Sequence, residues 1–281
     1  MVLIVKKVPF MELKPRGLAM EKAFAFTPDI EVLPSHVPLP GMGYLPVNAF
    51  VIKAEDPVLV DTGTGRDSDD FMKTLRMVVD PQDLKWVWIT HDDSDHTGSI
   101  QKIMEAAPKA RLAANALAVM RMNATWPVPM DRVYWLNHGD SISVGDRKLT
   151  AIRPPLFDNP TTIGIYDDKS DVFFSADCFG AIIPTLAQDA DALKEDELAQ
   201  GMISWASGDC PWVHAIPPDV FARQLDTLRQ LAPKGILSAH LPPASEMTAK
   251  LLATLALVPA TKPFIAPNQA VLAQMLTQTQ S

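Results

Sequence analysis

The ten residues from Thr90 to Ser99 read T-H-D-D-S-D-H-T-G-S, with two histidines and three aspartates inside six positions. They follow the apolar run Leu84 to Thr90, L-K-W-V-W-I-T, which is typical of a buried strand. Carboxylates so close together repel one another, and burying them is costly unless a positive charge compensates. Because no Lys or Arg lies within the stretch, a divalent or trivalent cation is the simplest counter-charge. The stretch therefore predicts a metal site; the alternative is a solvated acidic turn with two incidental histidines.

Length and charge narrow the class of protein. The chain has 281 residues, 47% of them hydrophobic, and a formal net charge of −8 at pH 7. This is enough apolar material for one large core, so we expect a single domain over residues 1–281. No run of Lys and Arg could follow a phosphate backbone, so we expect neither nucleic acid nor an anionic membrane surface as a partner.

Cysteine use and hydropathy point to the cytoplasm. The chain contains two cysteines, Cys178 and Cys210, which form neither a disulfide framework nor a Cys-x-x-Cys site. The apolar start from Met1 to Phe10 is too short for a secretory leader, and no apolar run approaches the length of a membrane span.

Strand-like and helix-like runs alternate along the chain, which predicts an α/β fold. Apolar and β-branched runs predict strands at 47–53, 58–61, 84–90, 111–115, 141–144, 148–153, 162–166, 171–175 and 235–238. Apolar spacing predicts helices at 70–79, 99–107, 116–122, 191–203, 219–231 and 244–257. The prolines between Pro34 and Pro46 predict a loop, and we expect a helical tail over about residues 244–281.

The motif His91-x-Asp93-x-Asp95-His96 resembles the His-x-His-x-Asp-His motif of the metallo-β-lactamase superfamily, with Asp93 at the position of the middle His. The flavodiiron proteins and their stand-alone oxygen-binding diiron relatives carry Glu at that position. The upstream segment V-L-V-D-T-G-T-G is similar to the strand-Asp-x-Gly element of the superfamily. This similarity implies that Asp61 contacts the metal ligands and orients them without binding the metal itself.

Two downstream segments extend the resemblance. Residues 173–180, F-F-S-A-D-C-F-G, resemble the flavodiiron segment that carries the metal-bridging Asp, which is Asp177 here. The run Ser238-Ala239-His240 resembles the segment of the final His ligand, and the position of the intervening His ligand falls on Asp158. The resemblance spans about residues 46–240 and implies a four-layer αββα metallo-β-lactamase-type sandwich with two mixed sheets.

The resemblance also implies a centre of two metal ions that share one carboxylate. The first site would consist of His91, Asp93, Asp158 and the bridging Asp177, and the second of Asp95, His96, His240 and Asp177. Oxygen-rich ligands favour iron, or manganese, while zinc also accepts His and carboxylate ligands.

The flavodiiron-like pattern predicts a metal-dependent enzyme that binds or reduces oxygen or a related small oxidant. Because about 40 residues follow His240, we expect no flavin module after it and therefore an external electron donor. The alternative is a metal-dependent hydrolase of a lactone, thioester or phosphoester, in which Asp95 would ligate a metal and orient the attacking water. A non-catalytic sensor or scaffold is a further alternative. The apolar stretches 251–257 and 270–276 suggest a homodimer surface.

Residues outside the motifs receive more ordinary interpretations. We expect His138 to be a turn residue, His214 to lie in the core or on the surface, and Cys178 to be a small buried side chain. Trp205 and Trp212 are candidates for the walls of a pocket, since ligand sites are mainly apolar.

Overall fold

The first half of the chain builds a seven-stranded sheet. A computed structural model describes residues 20–39 and 41–278. The strands of this sheet, in spatial order, are β1 (Phe24–Thr27), β2 (Ile30–Leu39), β3 (Gly43–Ile52), β4 (Val58–Val60), β5 (Trp86–Trp88), β6 (Arg111–Ala114) and β7 (Val133–Trp135). Strands β1 to β4 are antiparallel, whereas β4 to β7 are parallel. Helices lie between the parallel strands in sequence: α1 (Ser68–Val78), α2 (Ser94–Thr97), α3 (Ile100–Ala106) and α4 (Ala116–Met122).

The second half builds a six-stranded sheet that is also mixed. Its spatial order is β13 (Ala244–Ser245), β12 (Gly235–Leu237), β11 (Val172–Phe174), β10 (Gly164–Asp167), β9 (Lys148–Ile152) and β8 (Ser141–Ser143). Strands β11 and β12 are parallel, and the other pairs are antiparallel. The helices of this half are α5 (Glu195–Asp209), α6 (Pro218–Gln224), α7 (Asp226–Leu231), α8 (Thr248–Leu255) and α9 (Gln269–Gln278).

The alternation of side chains along each strand divides the hydrophobic core into three clusters. One lies between the two sheets, and each of the others lies between a sheet and its helices. In β4, Val58 and Val60 pack between the two sheets, whereas Leu59 packs against the helices of the first half. In β11, Phe174 lies between the sheets and Phe173 faces the helices of the second half. Successive side chains of a strand point to opposite faces, so both faces of each sheet are buried. The predicted four-layer αββα sandwich is confirmed.

A buried ion cluster ties the two sheets together. The side chain of Arg147, in the turn between β8 and β9, is buried and lies 3.0 Å from Oδ2 of Asp167 at the end of β10. It also pairs with Asp29, from the β1–β2 turn of the other sheet, and with Asp146. Removing one member of such a cluster costs about 3–5 kcal/mol, because it leaves an uncompensated buried charge.

Three expectations about local structure are wrong. The Pro34–Pro46 segment forms most of the β2–β3 hairpin, with residue 40 outside the described residues. Neither strand has a second neighbour over most of this segment, because β1 pairs with β2 only up to Val32 and β4 pairs with β3 only from Phe50. Prolines are tolerated at such open edges, where no amide hydrogen is needed.

The other two differences lie in the last third. The expected helical tail does not begin at residue 244, because Ala244 pairs with Ile236 in β13 and helix α8 starts only at Thr248. The helix predicted over residues 219–231 is divided at Leu225 into α6 and α7. In the first case strand pairing overrides the local helical preference, which is a weak constraint by itself.

Three further expectations concern a dimer surface, a membrane span and a secretory leader. Leu251, Leu252 and Leu255 pack into the core, so three of the four leucines in the stretch 251–257 are used inside the molecule rather than at a dimer surface. Within residues 20–39 and 41–278, no helix combines the length and the apolar character that crossing a bilayer requires. The expectation about the leader, Met1 to Phe10, lies outside the described residues.

Candidate metal centre

All seven predicted ligands converge in one place. They form overlapping groups of three in which the candidate ligand atoms lie within 4.8 Å of one another. One group contains His91, Asp93 and Asp158, a second contains Asp95, His96 and His240, and a third joins Asp177 to His91 and His96. The first group holds residues predicted for one ion, the second holds residues predicted for the other, and the third contains one histidine from each.

Both sheets contribute side chains to this centre. The motif turn, residues 91–96, follows β5 of the first sheet. Asp158 lies in the loop between β9 and β10, Asp177 follows β11, and His240 follows β12, all in the second sheet. The site can therefore form only when the two sheets are packed together.

Each of the three imidazoles is held through its Nδ1 atom. His96 Nδ1 lies 2.9 Å from Oδ2 of Asp61 and His240 Nδ1 lies 2.7 Å from the carbonyl oxygen of Pro46. Both oxygens accept hydrogen bonds, so the ring hydrogens are at Nδ1. The Thr90 hydroxyl donates to Asp61 Oδ2 and therefore accepts from His91 Nδ1, at 3.2 Å. All three Nε2 atoms then face the centre, as metal-binding histidines held by a hydrogen-bond acceptor do.

The strand-Asp-x-Gly segment holds the motif turn in place, as the resemblance implies. Asp61 accepts hydrogen bonds at 2.8 Å from both the amide and the hydroxyl group of Thr90. The amide of Thr62 donates to the carbonyl oxygen of His96 at 2.7 Å, and the amide of Gly98 donates to that of Gly63 at 2.9 Å. The two segments thus form one hydrogen-bonded unit.

Asp177 lies between the two sets of ligands. Its Oδ2 atom is 3.5 Å from His91 Nε2, while its Oδ1 atom is 3.0 Å from His96 Nε2 and 3.2 Å from His240 Nε2. Burial would raise the pKa of Asp177, but the imidazoles of His91 and His96 outweigh this effect and hold the pKa well below its usual range. The two oxygens are therefore turned toward different halves of the centre, as a bridging carboxylate requires.

The histidines differ in their protonation. Burial and the neighbouring His96 lower the pKa of His91. Burial would also lower the pKa of His96 and His240, but the carboxylate of Asp177 outweighs it, and the pKa of His240 rises to about 9. In the metal-free site, protons on these two rings supply part of the positive charge that the carboxylates need.

The remaining carboxylates surround this core. The Asn159 amide donates to Asp93 Oδ1 at 2.8 Å. Burial and the carboxylate of Asp177 raise the pKa of Asp158 to about 8. Asp92, by contrast, belongs to none of the ligand groups, and its Oδ2 atom lies 2.9 Å from Nε of Arg121. One of the three acids of the motif thus has an arginine partner from α4, which the spacing of residues in the motif could not indicate.

One acid of the site carries no recognisable signal in the sequence. Asp209, the last residue of α5, offers a ligand atom within 4.8 Å of those of Asp158 and Asp177. Burial and the carboxylate of Asp177 raise its pKa to about 7. Its surroundings in the sequence, S-G-D-C-P-W, resemble no ligand motif, and only the tertiary structure brings it to the centre.

Trp205, His138 and His214 lie where the sequence predicts a pocket wall, a turn residue and a core or surface residue. Trp205 packs on the ring of His240, with centroids 4.7 Å apart, and its indole donates to the carbonyl oxygen of Asp177. His138 accepts a hydrogen bond from the amide of Arg153 in an exposed turn. His214 lies 3.1 Å from the hydroxyl of Ser207. The contact with His240 makes Trp205 a wall of the site.

The donor set fits metal ions. His91 Nε2 and Asp158 Oδ1 are buried atoms with no hydrogen-bond partner in the part of the chain that the structure describes. Leaving such atoms unsatisfied is costly, and a cation between them would satisfy both. The predicted ligands are four carboxylates and three imidazoles, without a thiolate, which favours iron or manganese.

Comparison with known proteins agrees with this geometry. Residues 45–207 match the model of a family described as ODP family beta lactamase. The anaerobic nitric oxide reductase flavorubredoxin of Vibrio vulnificus is 30% identical over 134 residues, which are 47% of this chain and 27% of that protein. The flavo-diiron protein FprA2 of Clostridium acetobutylicum is 33% identical over 138 residues, 47% of this chain and 34% of that protein. The matches thus span only about a third or less of these curated relatives.

Solved structures share the fold. Rubredoxin oxygen:oxidoreductase from Desulfovibrio gigas superposes with a TM-score of 0.73 at 19% identity, covering 86% of this chain and 63% of that one. The flavodiiron protein from Giardia intestinalis gives a TM-score of 0.73 at 17% identity, covering 86% and 60%. At this level of identity the likeness concerns the architecture alone.

Proposed function

Because this chain belongs to the ODP family of β-lactamase-type proteins, we propose that it holds two iron ions and binds or reduces oxygen or a related small oxidant. The observation that carries the proposal is the convergence of two ligand triads around Asp177. The names of the relatives, a nitric oxide reductase and a flavo-diiron protein, support a small oxidant as substrate.

The proposed ligands are the seven residues predicted from the sequence. The first ion would bind His91, Asp93 and Asp158, the second would bind Asp95, His96 and His240, and Asp177 would bind both. Iron bound there would supply one-electron redox chemistry and polarise the oxidant.

The protein's own residues would control the access of small molecules to the centre. The side chains of Asp93 and Asp95 are 41% and 32% exposed, so a small molecule can approach the centre from their side. Trp205 packs on the buried ring of His240 and forms a wall there. Reduction of oxygen to water takes up protons and electrons in equal number. We therefore propose a reduced flavin or iron–sulfur protein as the electron donor, in line with the flavorubredoxin relatives.

The experiment is anaerobic purification with iron supplied, followed by metal analysis and measurement of oxygen and nitric oxide consumption with a chemical reductant. We expect two iron ions per chain and consumption that Asp177→Ala abolishes. Iron with an optical response to oxygen but no turnover would make the protein a sensor. Zinc or manganese with ester hydrolysis would replace the proposal with the hydrolase, in which Asp95 orients the attacking water. A chain that binds no metal would leave only the scaffold.

A further inference from the structure

Asp209 is a partly buried acid that lies among other carboxylates. It lies at the C-terminal end of the 15-residue helix α5, where the helix dipole disfavours negative charge. No Lys or Arg nitrogen from the described residues lies within ion-pair distance of it, whereas Asp158 and Asp177 are its acidic neighbours. Placing three charged carboxylates together in this way is unfavourable unless protons or a cation lie among them.

The carboxylate of Asp209 is oriented by its neighbour in the sequence. The thiol of Cys210 lies 3.3 Å from Asp209 Oδ2. Burial and the adjacent carboxylate of Asp209 raise the pKa of this thiol, so it stays protonated and donates to Oδ2. Asp209 is thereby held in position, as the imidazole ligands are held through Nδ1.

A second observation points to a cation at this place. His91 is fully buried, and its Nε2 atom, 3.5 Å from Asp177 Oδ2, has no hydrogen-bond partner among the residues described. Asp158 Oδ1, in the same group as Asp209, is likewise buried without one. Asp158 belongs both to the group of His91 and Asp93 and to the group of Asp209 and Asp177, so it links Asp209 to the first site.

We propose that Asp209 is a further carboxylate ligand of the metal centre, on the side of the first ion. This inference rests on the proposed function, since it assumes that the centre holds metal. The first site, in which carboxylates stand at positions 93 and 158, would then have an additional anionic donor from a different helix. Asp209 would join Asp158 and Asp177 in binding the first ion.

The test compares Asp209→Asn with Asp196→Asn, an exposed aspartate in the first turn of the same helix. Both proteins are prepared metal-free and titrated anaerobically with ferrous iron against a competing chelator. We expect Asp209→Asn to bind one ion about 10–100-fold more weakly than the unmodified chain, the usual loss when a metal site loses a supporting group. Asp196→Asn should bind both ions unchanged.

Thermal unfolding of the metal-free proteins separates a ligand from a structural residue. Removing the charge of a carboxylate that lies among other carboxylates should leave the unfolding temperature of metal-free Asp209→Asn unchanged or higher. A lower unfolding temperature would overturn the proposal, because it would show that Asp209 stabilises the fold without metal. Asp209→Glu, which keeps the charge, should retain more iron than Asp209→Asn.

The outcomes for the two proposals are distinguishable. If the unmodified chain bound two iron ions and Asp209→Asn bound them with the same affinity, the assignment of Asp209 would be wrong and the proposed function would stand. If the unmodified chain bound no pair of iron ions, both would be wrong.

Discussion

Single residues in strained conformations shape the centre. Asp61, Ala176 and Phe179 have φ angles of 59°, 52° and 69°, in the left-handed region that side chains other than glycine rarely adopt. Asp61 is held there by its hydrogen bonds to Thr90 and its contact with His96. Ala176 and Phe179 enclose Asp177 in the turn after β11. Such conformations persist only where surrounding contacts determine them, and they are frequent at functional sites.

The shared position of Asp177 predicts an asymmetry between ligands. Asp177→Ala should lose iron from both positions, because its two oxygens face different triads. Asp93→Ala should lose iron mainly from the first position, since Asp93 lies in one triad only. Metal analysis of the two variants, purified in parallel, measures the difference.

Asp92→Asn is the matched control for this experiment. Asp92 belongs to the same motif but pairs with Arg121 outside the cluster, so its iron content should equal that of the unmodified chain. Equal iron loss in Asp177→Ala and Asp93→Ala would rule out the bridge.

At the scale of elements, the close approach of two turns places the motif. Gly98 ends α2 against the backbone of the strand-Asp-x-Gly segment, and a Cβ atom there would lie 1.9 Å from the amide nitrogen of Gly65. The hydrogen bonds of Thr62 and Gly98 across this contact show why no side chain fits. The position of His96 therefore depends on a glycine two residues further along the chain.

Gly98→Ala is expected to lower the free energy of unfolding by about 1–3 kcal/mol, the usual cost of overpacking a tight contact. It should also reduce iron content, because relief of the clash moves the turn that carries His96. Chemical denaturation of the metal-free protein and metal analysis measure the two effects.

Gly208→Ala provides the comparison. Gly208 lies in helix α5, and its added Cβ would meet Phe264 at an ordinary 3.5 Å. Replacing a helical glycine that has this space should raise stability by about 0.5–1 kcal/mol. If both variants lost the same stability, the close approach at Gly98 would not be the cause.

For the molecule as a whole, the centre joins two sheets, each of which is built from its own continuous half of the chain. The first sheet supplies the motif turn, and the second supplies Asp158, Asp177 and His240. A ligand that binds only the folded state stabilises it in proportion to the logarithm of its concentration. Metal bound between the sheets should therefore stabilise their packing.

Metal removal is expected to lower the thermal unfolding temperature. With free ferrous iron at about 100 times the dissociation constant, the stabilisation should be about 2.7 kcal/mol. Because iron would have to displace the proton that His240 binds below its pKa of about 9, the gain should shrink as the pH falls below that value. Unfolding scans with and without iron at several pH values measure it, and Asp177→Ala should show little gain. A gain that grew as the pH fell would contradict displacement of protons by metal.

Much of the molecule follows from local sequence. The alternation of apolar runs identified most strands and helices, and the predicted helix over 116–122 matches α4. The seven predicted ligands come from the resemblance of short segments to the flavodiiron pattern. Those segments are local in the sequence, and the structure brings their side chains together.

The β2–β3 hairpin and the contacts of Asp92 and Asp209 are evident only in the folded chain. The β2–β3 hairpin forms despite its prolines because neither strand has a second neighbour over most of that segment, and an open edge needs no amide hydrogen. Arg121 compensates Asp92, and Asp209 approaches Asp177, through packing of helices that lie far from the motif in sequence. Such contacts depend on where distant elements meet, and the free energy of that packing is not encoded in any short segment.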